Sequence, residues 1–183
     1  MESRISLKNI KHAAFASHET HCFEATVCLD GDRVCKAEND GRGGSDHYYP
    51  YKGQSNESFD IMIVKLREAC ADQIKIEDPE TYELFCPRSE NNELDYSRLG
   101  DTCIEIVLCN TLNTSLIKKD IKRLMRAKVQ MIEVSSGKIY EIKSKPLPET
   151  LERVKKQYEP EYLVLNTLSE EEQFYHWTKT TEA

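Results

Sequence analysis

The dipeptide Asp30-Gly31 constrains this chain more than any other feature. A two-residue type I′ turn needs positive φ at both central positions, which aspartate tolerates and glycine adopts freely. The residues before it alternate. Phe23, Ala25, Val27 and Leu29 fall on one face of an extended chain, and Cys22, Glu24, Thr26 and Cys28 fall on the other. Residues 32–38 return as the second strand. The chain is thereby committed to an antiparallel sheet.

The turn also sets a register. With Asp30-Gly31 at its centre, Leu29 opposes Asp32, Val27 opposes Val34 and Cys22 opposes Asn39. A strand over 7–15, paired antiparallel with 22–29, puts its connecting loop at the far end of the hairpin. Loops 16–21 and 39–50 are therefore expected to share one rim of the sheet. The second loop belongs to the stretch ENDGRGGSDHYYP, which holds Gly41, Gly43 and Gly44 around Arg42. Such glycines serve one of two purposes. They form a surface turn that uses positive φ, or a nest of inward N–H groups that suits phosphate or carboxylate oxygens.

Downstream, Ser55 caps an expected helix to about Ile76, with Phe59, Met62, Ile63, Leu66, Ala69, Cys70 and Gln73 at helical spacing. Residues 77–100, with Pro79 and Pro87, read as an irregular surface segment. Asp101 caps a second helix with Ile104, Val107, Leu108 and Leu112 as its buried stripe. Asn113 weakens it, and Ser115 starts a third, LIKKDIKRLMRAK, with apolar Ile117, Ile121, Leu124 and Met125. A hairpin turning at Ser135, Ser136 and Gly137 comes next. A helix over 149–158, a short extended YLVLN and a last helix capped by Thr167 or Ser169 complete the chain. The fold expected is α+β. An N-terminal antiparallel sheet packs against helices, and a small hairpin-plus-helix unit follows. All 183 residues are read as one domain, in segments 1–76, 77–100 and 101–183.

Composition limits what such a domain does. The net charge of -7 argues against a duplex-DNA binder, whose affinity rests largely on phosphate neutralisation. No apolar run approaches the roughly 18 residues of a membrane span, and MESRISLKNIKHAAF has no signal-peptide core. A cytoplasmic protein is expected. The 7 cysteines include no Cys-x-x-Cys pair, so they read as buried free thiols, not as a zinc site or disulfide framework.

The segments AAFASHETHCFEATVCLDGDRV and NDGRGGSDHYYP resemble a group of small uncharacterised bacterial and phage proteins that share an ET-x-CF-x-AT…DG…N-x-G-x-GG signature. The later LIKKDIKRLMRAKVQMIE and GKIYEIK are similar to their C-terminal half. The resemblance covers most of the chain except about residues 56–100. It implies a phage or prophage origin and a role in phage–host conflict, and hence the host cytoplasm as location. It supplies no catalytic residue.

Several residues near the rim carry chemistry. HETH at 18–21 is not a zinc-protease motif, because its histidines are three apart and precede a strand. His18, His21 and His47 converging on a metal with Glu19, Asp40 or Asp46 is one alternative, but no metal or cofactor is assigned. Cys22 lacks an evident base and orienting group for thiol catalysis. The basic helix around Lys118, Lys119, Lys122, Arg123, Arg126 and Lys128 reads as a solvated face, and nucleic acid is not the expected partner.

The leading expectation is a non-enzymatic protein that binds and sequesters a small phosphorylated ligand, a nucleotide immune signal above all. The expected pocket comprises His18, Glu19, Thr20, His21, Glu24, Asn39, Asp40, Gly41, Arg42, Gly43, Gly44, Ser45, Asp46, His47, Tyr48 and Tyr49. The N–H groups of Gly41 to Ser45 and the Arg42 guanidinium hold phosphate, Glu24 or Asp46 accepts from ribose or base, and Tyr48 or Tyr49 stacks. A homo-oligomer sharing the site is compatible with the sequence. The alternatives are a metal-assisted phosphodiesterase acting on nucleotides, and an interaction module that docks a host protein.

Overall fold

The computed structural model describes residues 4–85, 88, 90–91 and 100–181. Four strands open the chain: β1 (Ile5–His12), β2 (Cys22–Leu29), β3 (Asp32–Asp40) and β4 (His47–Tyr49). They form one sheet in the order β1-β2-β3-β4, every pair antiparallel. Helices α1 (Asn56–Glu77), α2 (Pro79–Phe85) and α3 (Thr102–Ala127) follow. A second sheet of β5 (Val129–Glu133), β6 (Ile139–Ile142) and β7 (Tyr162–Val164) has the order β6-β5-β7, with α4 (Pro148–Tyr158) and α5 (Glu170–Thr181). The architecture is α+β. The chain divides into two compact units, residues 1–112 and 113–183.

The hairpin turn forms as expected, with φ of 52° at Asp30 and 90° at Gly31 and Leu29 opposite Asp32. Arg4 clamps the turn by two hydrogen bonds to the Asp30 carboxylate, at 2.9 and 2.8 Å. Two residues further the register departs from expectation. Cys28 opposes Arg33, but Val27 opposes Cys35, so Val34 is an inserted bulge residue. Val27 and Val34 do not pair, and Cys22 lies opposite Asp40 instead of Asn39. Bulging lets both Val34 and Cys35 be fully buried, which strict alternation would forbid. A second bulge interrupts β1 between Lys8 and Lys11, where Asn9 has φ 53°.

Past the bulge, one face of the sheet carries Phe23, Ala25, Val27, Cys35, Ala37 and Asn39, all buried. Helix α1 packs on β3 and buries Ile63, Leu66, Ala69, Cys70, Ala71 and Ile74. Its N-cap is Ser55, whose side chain accepts from the Ser58 N–H at 3.2 Å. Phe59, Met62 and Gln73, expected on the stripe, are only half-buried. The first half of α3 buries Cys103, Ile104, Val107, Leu108 and Leu112. Each fully buried Leu, Ile or Val contributes about 1.5–3 kcal/mol.

Two expected boundaries are corrected. The segment 77–100 contains α2, because Pro79 suits a first helical turn and Asp78 caps it, accepting from the Thr81 N–H at 3.1 Å. Residues 86, 87, 89 and 92–99 of that segment lie outside the described ones. The expected break at Asn113 does not occur, and α3 runs on to Ala127. Asn, Thr and Ser cost only tenths of a kcal/mol each in a helix, and Thr111 returns its hydroxyl to the Val107 carbonyl at 2.7 Å.

In the second unit, one cluster joins Ile121, Met125, Ile132 and Leu165, with Phe174 and Trp177 against it. Another joins Val129, Met131, Val154 and Val164. Asn166 ties these parts together. Its Nδ2 donates to the carbonyls of Met125 and Lys128 at 2.7 and 2.9 Å, and its Oδ1 accepts from Gln130 N–H at 2.7 Å. Ser169 and Glu172 close a capping box on α5, as the sequence suggested for Ser169.

Candidate functional site

The two loops meet at one rim of the first sheet. The N–H groups of His18 and Glu19 both donate to the Gly41 carbonyl, at 2.9 and 3.1 Å. The pivot is Asn39, buried at 6% exposure. Its Oδ1 accepts from the Thr20 hydroxyl at 2.7 Å and the Gly41 N–H at 2.8 Å. Its Nδ2 donates to the Gly44 carbonyl at 2.8 Å and to Asp46 Oδ1 at 2.9 Å. All four hydrogen-bonding positions of the amide are used.

This network changes the meaning of the glycine loop. The Gly41 N–H goes to Asn39, the Arg42 N–H to Asp40 Oδ1 at 3.0 Å, and the Gly43 N–H to Thr20 Oγ1 at 3.3 Å. These groups, expected to face a phosphate, are already engaged within the chain. Gly41 is required for another reason. Its φ is +84°, and an added Cβ would lie 2.3 Å from the Ala16 carbonyl oxygen. The close backbone approach that glycine permits here is to the neighbouring loop.

A cleft of about 450 Å³ opens beside this rim, on the apolar face of the sheet. His18, Glu19, Thr20 and His21 come from the first loop, Asn39, Gly44 and Asp46 from the second. Phe23 and Leu112 supply apolar surface, and α3 adds Glu105 and Cys109. Burial pushes the Asp46 carboxyl above the usual range, the Asn39 hydrogen bond pulls it down, and the Glu105 charge adds to the rise. Three carboxylates and two histidines therefore line the cleft, with no lysine or arginine among the described residues that line it.

The remaining expected residues are distributed elsewhere. Lys11, Glu24, Glu38 and His47 stand side by side on the opposite face, as their strand pairing dictates. There Glu24 is held below the usual carboxylate range by hydrogen bonds from Lys36 and Lys11, so it does not serve the first cleft. Glu24, Asp40 and His47 line a second cleft of about 450 Å³ together with His12 and Cys22. Gly41, Arg42, Gly43 and Ser45 line neither, and Arg42 and Ser45 are exposed.

Tyr48 and Tyr49 point to opposite sides, as neighbours on a strand do. Among the described residues the buried Tyr48 hydroxyl has no hydrogen-bond partner, and burial pushes its pKa up. It lines a third cleft with Asp46, Phe59, Arg67 and Asp101. Tyr49 is 42% exposed, with its ring 6.5 Å from that of His47. The two rings are not one stacking platform.

Among the described residues, no group of three or more His, Cys, Asp or Glu side chains is placed to hold a metal ion. His18 and His21 share the first cleft, while His47 lies in the second and third. The cysteines mostly follow expectation: Cys28, Cys35, Cys70 and Cys103 are buried, Cys22 is half-buried and Cys109 is exposed. Burial pushes the Cys35 thiol up to about 12, which makes it inert near neutrality. Cys86 lies outside the described residues.

Sequence reasoning missed His12, Ser17, Phe23, Glu105, Cys109 and Leu112 as lining residues. His12 was within reach of the register argument, since it ends β1 opposite Phe23. Glu105 carried no local signal, because only the packing of α3 brings it to the rim. No family model matches this sequence, and no curated protein or solved structure matches it either. No helix among the described residues is long and apolar enough to cross a membrane.

Proposed function

We propose that this chain is a binding protein that sequesters a small nucleotide-like ligand, with the cleft at the rim of the first sheet as its site. The observation that carries the reading is the cleft itself. It has the volume of a small-molecule site, and its two loops are pinned to each other through Asn39. A site held ready in this way loses little freedom on binding, which favours affinity without any chemical step.

The charge of the lining assigns the ends of the ligand. Glu19, Asp46 and Glu105 accept hydrogen bonds, so the donor-bearing end enters: ribose hydroxyls and the amino group of a base. Phe23 and Leu112 offer apolar contact to the base. Phosphate stays outside the acidic lining, and exposed Arg42, between Gly41 and Gly43 of the second loop, is the cation proposed to hold it. The phage-type resemblance supports an anti-defence role for such a sponge, with capture of a nucleotide signal as its purpose.

The test is to mix the protein with nucleosides, mononucleotides and cyclic dinucleotides, remove free ligand, heat-denature it and analyse what is released. Intact ligand is expected, with Glu105→Gln and Asp46→Asn weakening capture. Arg42→Ala is expected to weaken capture of phosphorylated members only. Absence of capture across the panel, or full capture by Glu105→Gln, would sink the reading.

A second reading has one observation in its favour. Asp46 combines a raised pKa with Glu105 and two histidines in one cleft, and perturbed carboxyls in clefts often perform acid–base work. Chemically altered products in the same assay would favour an enzyme. A metal-assisted phosphodiesterase has no three-ligand set among the described residues to draw on. The host-protein interaction module is the reading left if nothing small is captured.

A further inference from the structure

We infer that three tyrosines of the second unit, Tyr140, Tyr158 and Tyr162, form with Glu133 a cage for a methylated ammonium cation, such as a trimethylammonium headgroup. The inference does not rest on the ligand reading above, and it uses residues 113–183 alone.

Strand register brings these groups together. In the second sheet Glu133 lies opposite Tyr162 across β5 and β7, and Met131 lies opposite Tyr140 across β5 and β6. Partners across strands share a face, and so do residues two apart on one strand. Glu133, Tyr140 and Tyr162 therefore lie on one face, the face on which Met131 and Val164 pack against Val154 of α4. Tyr158, the last residue of α4, adds the third ring.

The rings do not stack. Tyr140 and Tyr162 have centroids 5.6 Å apart at 81°, and Tyr158 and Tyr162 have centroids 5.9 Å apart at 81°. Both outer rings thus stand nearly perpendicular to the central one. Edge-to-face contact accounts for those angles by itself. It does not account for a carboxylate beside the rings. Glu133 accepts from the Ser136 hydroxyl and, at 3.5 Å, from the Tyr140 hydroxyl. Burial, and after it the charge of Glu133, pushes the Tyr162 hydroxyl up, with Glu161 adding to the rise. Ring faces are negative as well. Rings and carboxylates therefore favour the same guest, a cation.

The chain does not supply that cation. Among the described residues no lysine or arginine, Lys138 before β6 included, is ion-paired with Glu133 or lies over one of the three rings. A methylated ammonium suits the cluster better than a bare one. It has few or no N–H groups to satisfy, and its methyls give the ring faces apolar contact. The rings are also held ready. Tyr158 and Tyr162 are half-buried against the core of the unit, and Tyr140 is exposed for a guest to reach.

The experiment titrates the full-length protein with choline and, separately, with a short peptide carrying trimethyllysine. Ligand methyl protons and tyrosine ring resonances are followed by NMR. Saturable binding of at least one cation is expected, with its methyl protons moved upfield because they lie over ring faces. Binding of choline alone assigns a small-molecule guest, and binding of the peptide alone a methylated side chain; either supports the cage. Tyr140→Ala should weaken binding about two- to thirtyfold, the range of one cation–ring contact. Tyr140→Phe keeps the ring and should bind as the parent does, while Glu133→Gln should bind more weakly. The uncharged tert-butyl analogue of choline should bind far more weakly than choline itself. Three results would each overturn the site: no saturable binding of either cation up to about 10 mM, equal binding of the uncharged analogue, or Tyr140→Ala that binds as the parent does. If a variant proves unfolded, the cations and the uncharged analogue compared on the unsubstituted protein decide the question.

Discussion

Replacing Asn39 tests the rim most directly. Two of its contacts fix the amide orientation without ambiguity. The Gly41 N–H can only donate, so Oδ1 faces it, and the Gly44 carbonyl can only accept, so Nδ2 faces that. Asn39→Ala removes four hydrogen bonds. Each is worth about 0.5–1.5 kcal/mol net, about 2–6 kcal/mol for the four. Water can reach Gly44, which is exposed, and can replace part of that, whereas the bond from the Gly41 N–H is buried. The expected loss is therefore about 2–4 kcal/mol. Urea denaturation should show it as a lower midpoint at unchanged slope. Asn39→Asp sharpens the test. It keeps the acceptor for Thr20 and Gly41 but turns an oxygen toward the Gly44 carbonyl and the Asp46 carboxylate. At neutral pH it should be at least as destabilising as alanine, and as pH falls and the carboxyl becomes a donor it should recover toward the parent. A loss under about 1 kcal/mol for Asn39→Ala, or an Asp variant indifferent to pH, would refute the proposed role of this residue.

Three further outcomes follow from the same structure. Gly41→Ala, with its Cβ 2.3 Å from a backbone oxygen, should cost more than Gly43→Ala, whose Cβ meets the movable Glu19 side chain; Gly44→Ala, with nothing within 4 Å, should cost least, and thermal melts that rank them otherwise would contradict the loop packing. Asp46 has its native pKa raised by burial, so its contribution to stability is fully present below the ordinary value of about 4 and is lost as pH rises through the native one. The stability of Asp46→Asn relative to the parent should thus rise as pH climbs from about 4, and a difference that stays flat or falls would contradict that sign. Asn166→Ala removes three hydrogen bonds joining α3 to β5 and should cost about 1.5–4.5 kcal/mol, read by denaturant melts.

What could be read from the sequence here is what depends on neighbouring residues. Asp30-Gly31 set a turn because positive φ is a property of those two residues. The alternation of Phe23, Ala25 and Val27 picked a buried face because successive strand side chains oppose each other. Ser55 and Ser169 announced helix starts because caps act within one turn. The meeting of loops 16–21 and 39–50 followed from these local facts plus antiparallel pairing.

Tertiary structure decided the rest. Burial of both Val34 and Cys35 inserted the bulge, and a slip of one residue put Asp40 opposite Cys22. The N–H groups of Gly41 and Gly43 found partners in Asn39 and Thr20, a choice open only once two loops distant in sequence were in contact. Strand alternation separated Glu24 and His47 from Asp46, while the packing of α3 added Glu105 to the cleft. The sequence thus determined that a glycine-rich rim would exist. Only packing decided that its backbone would serve the fold and that acidic side chains would line the space beside it.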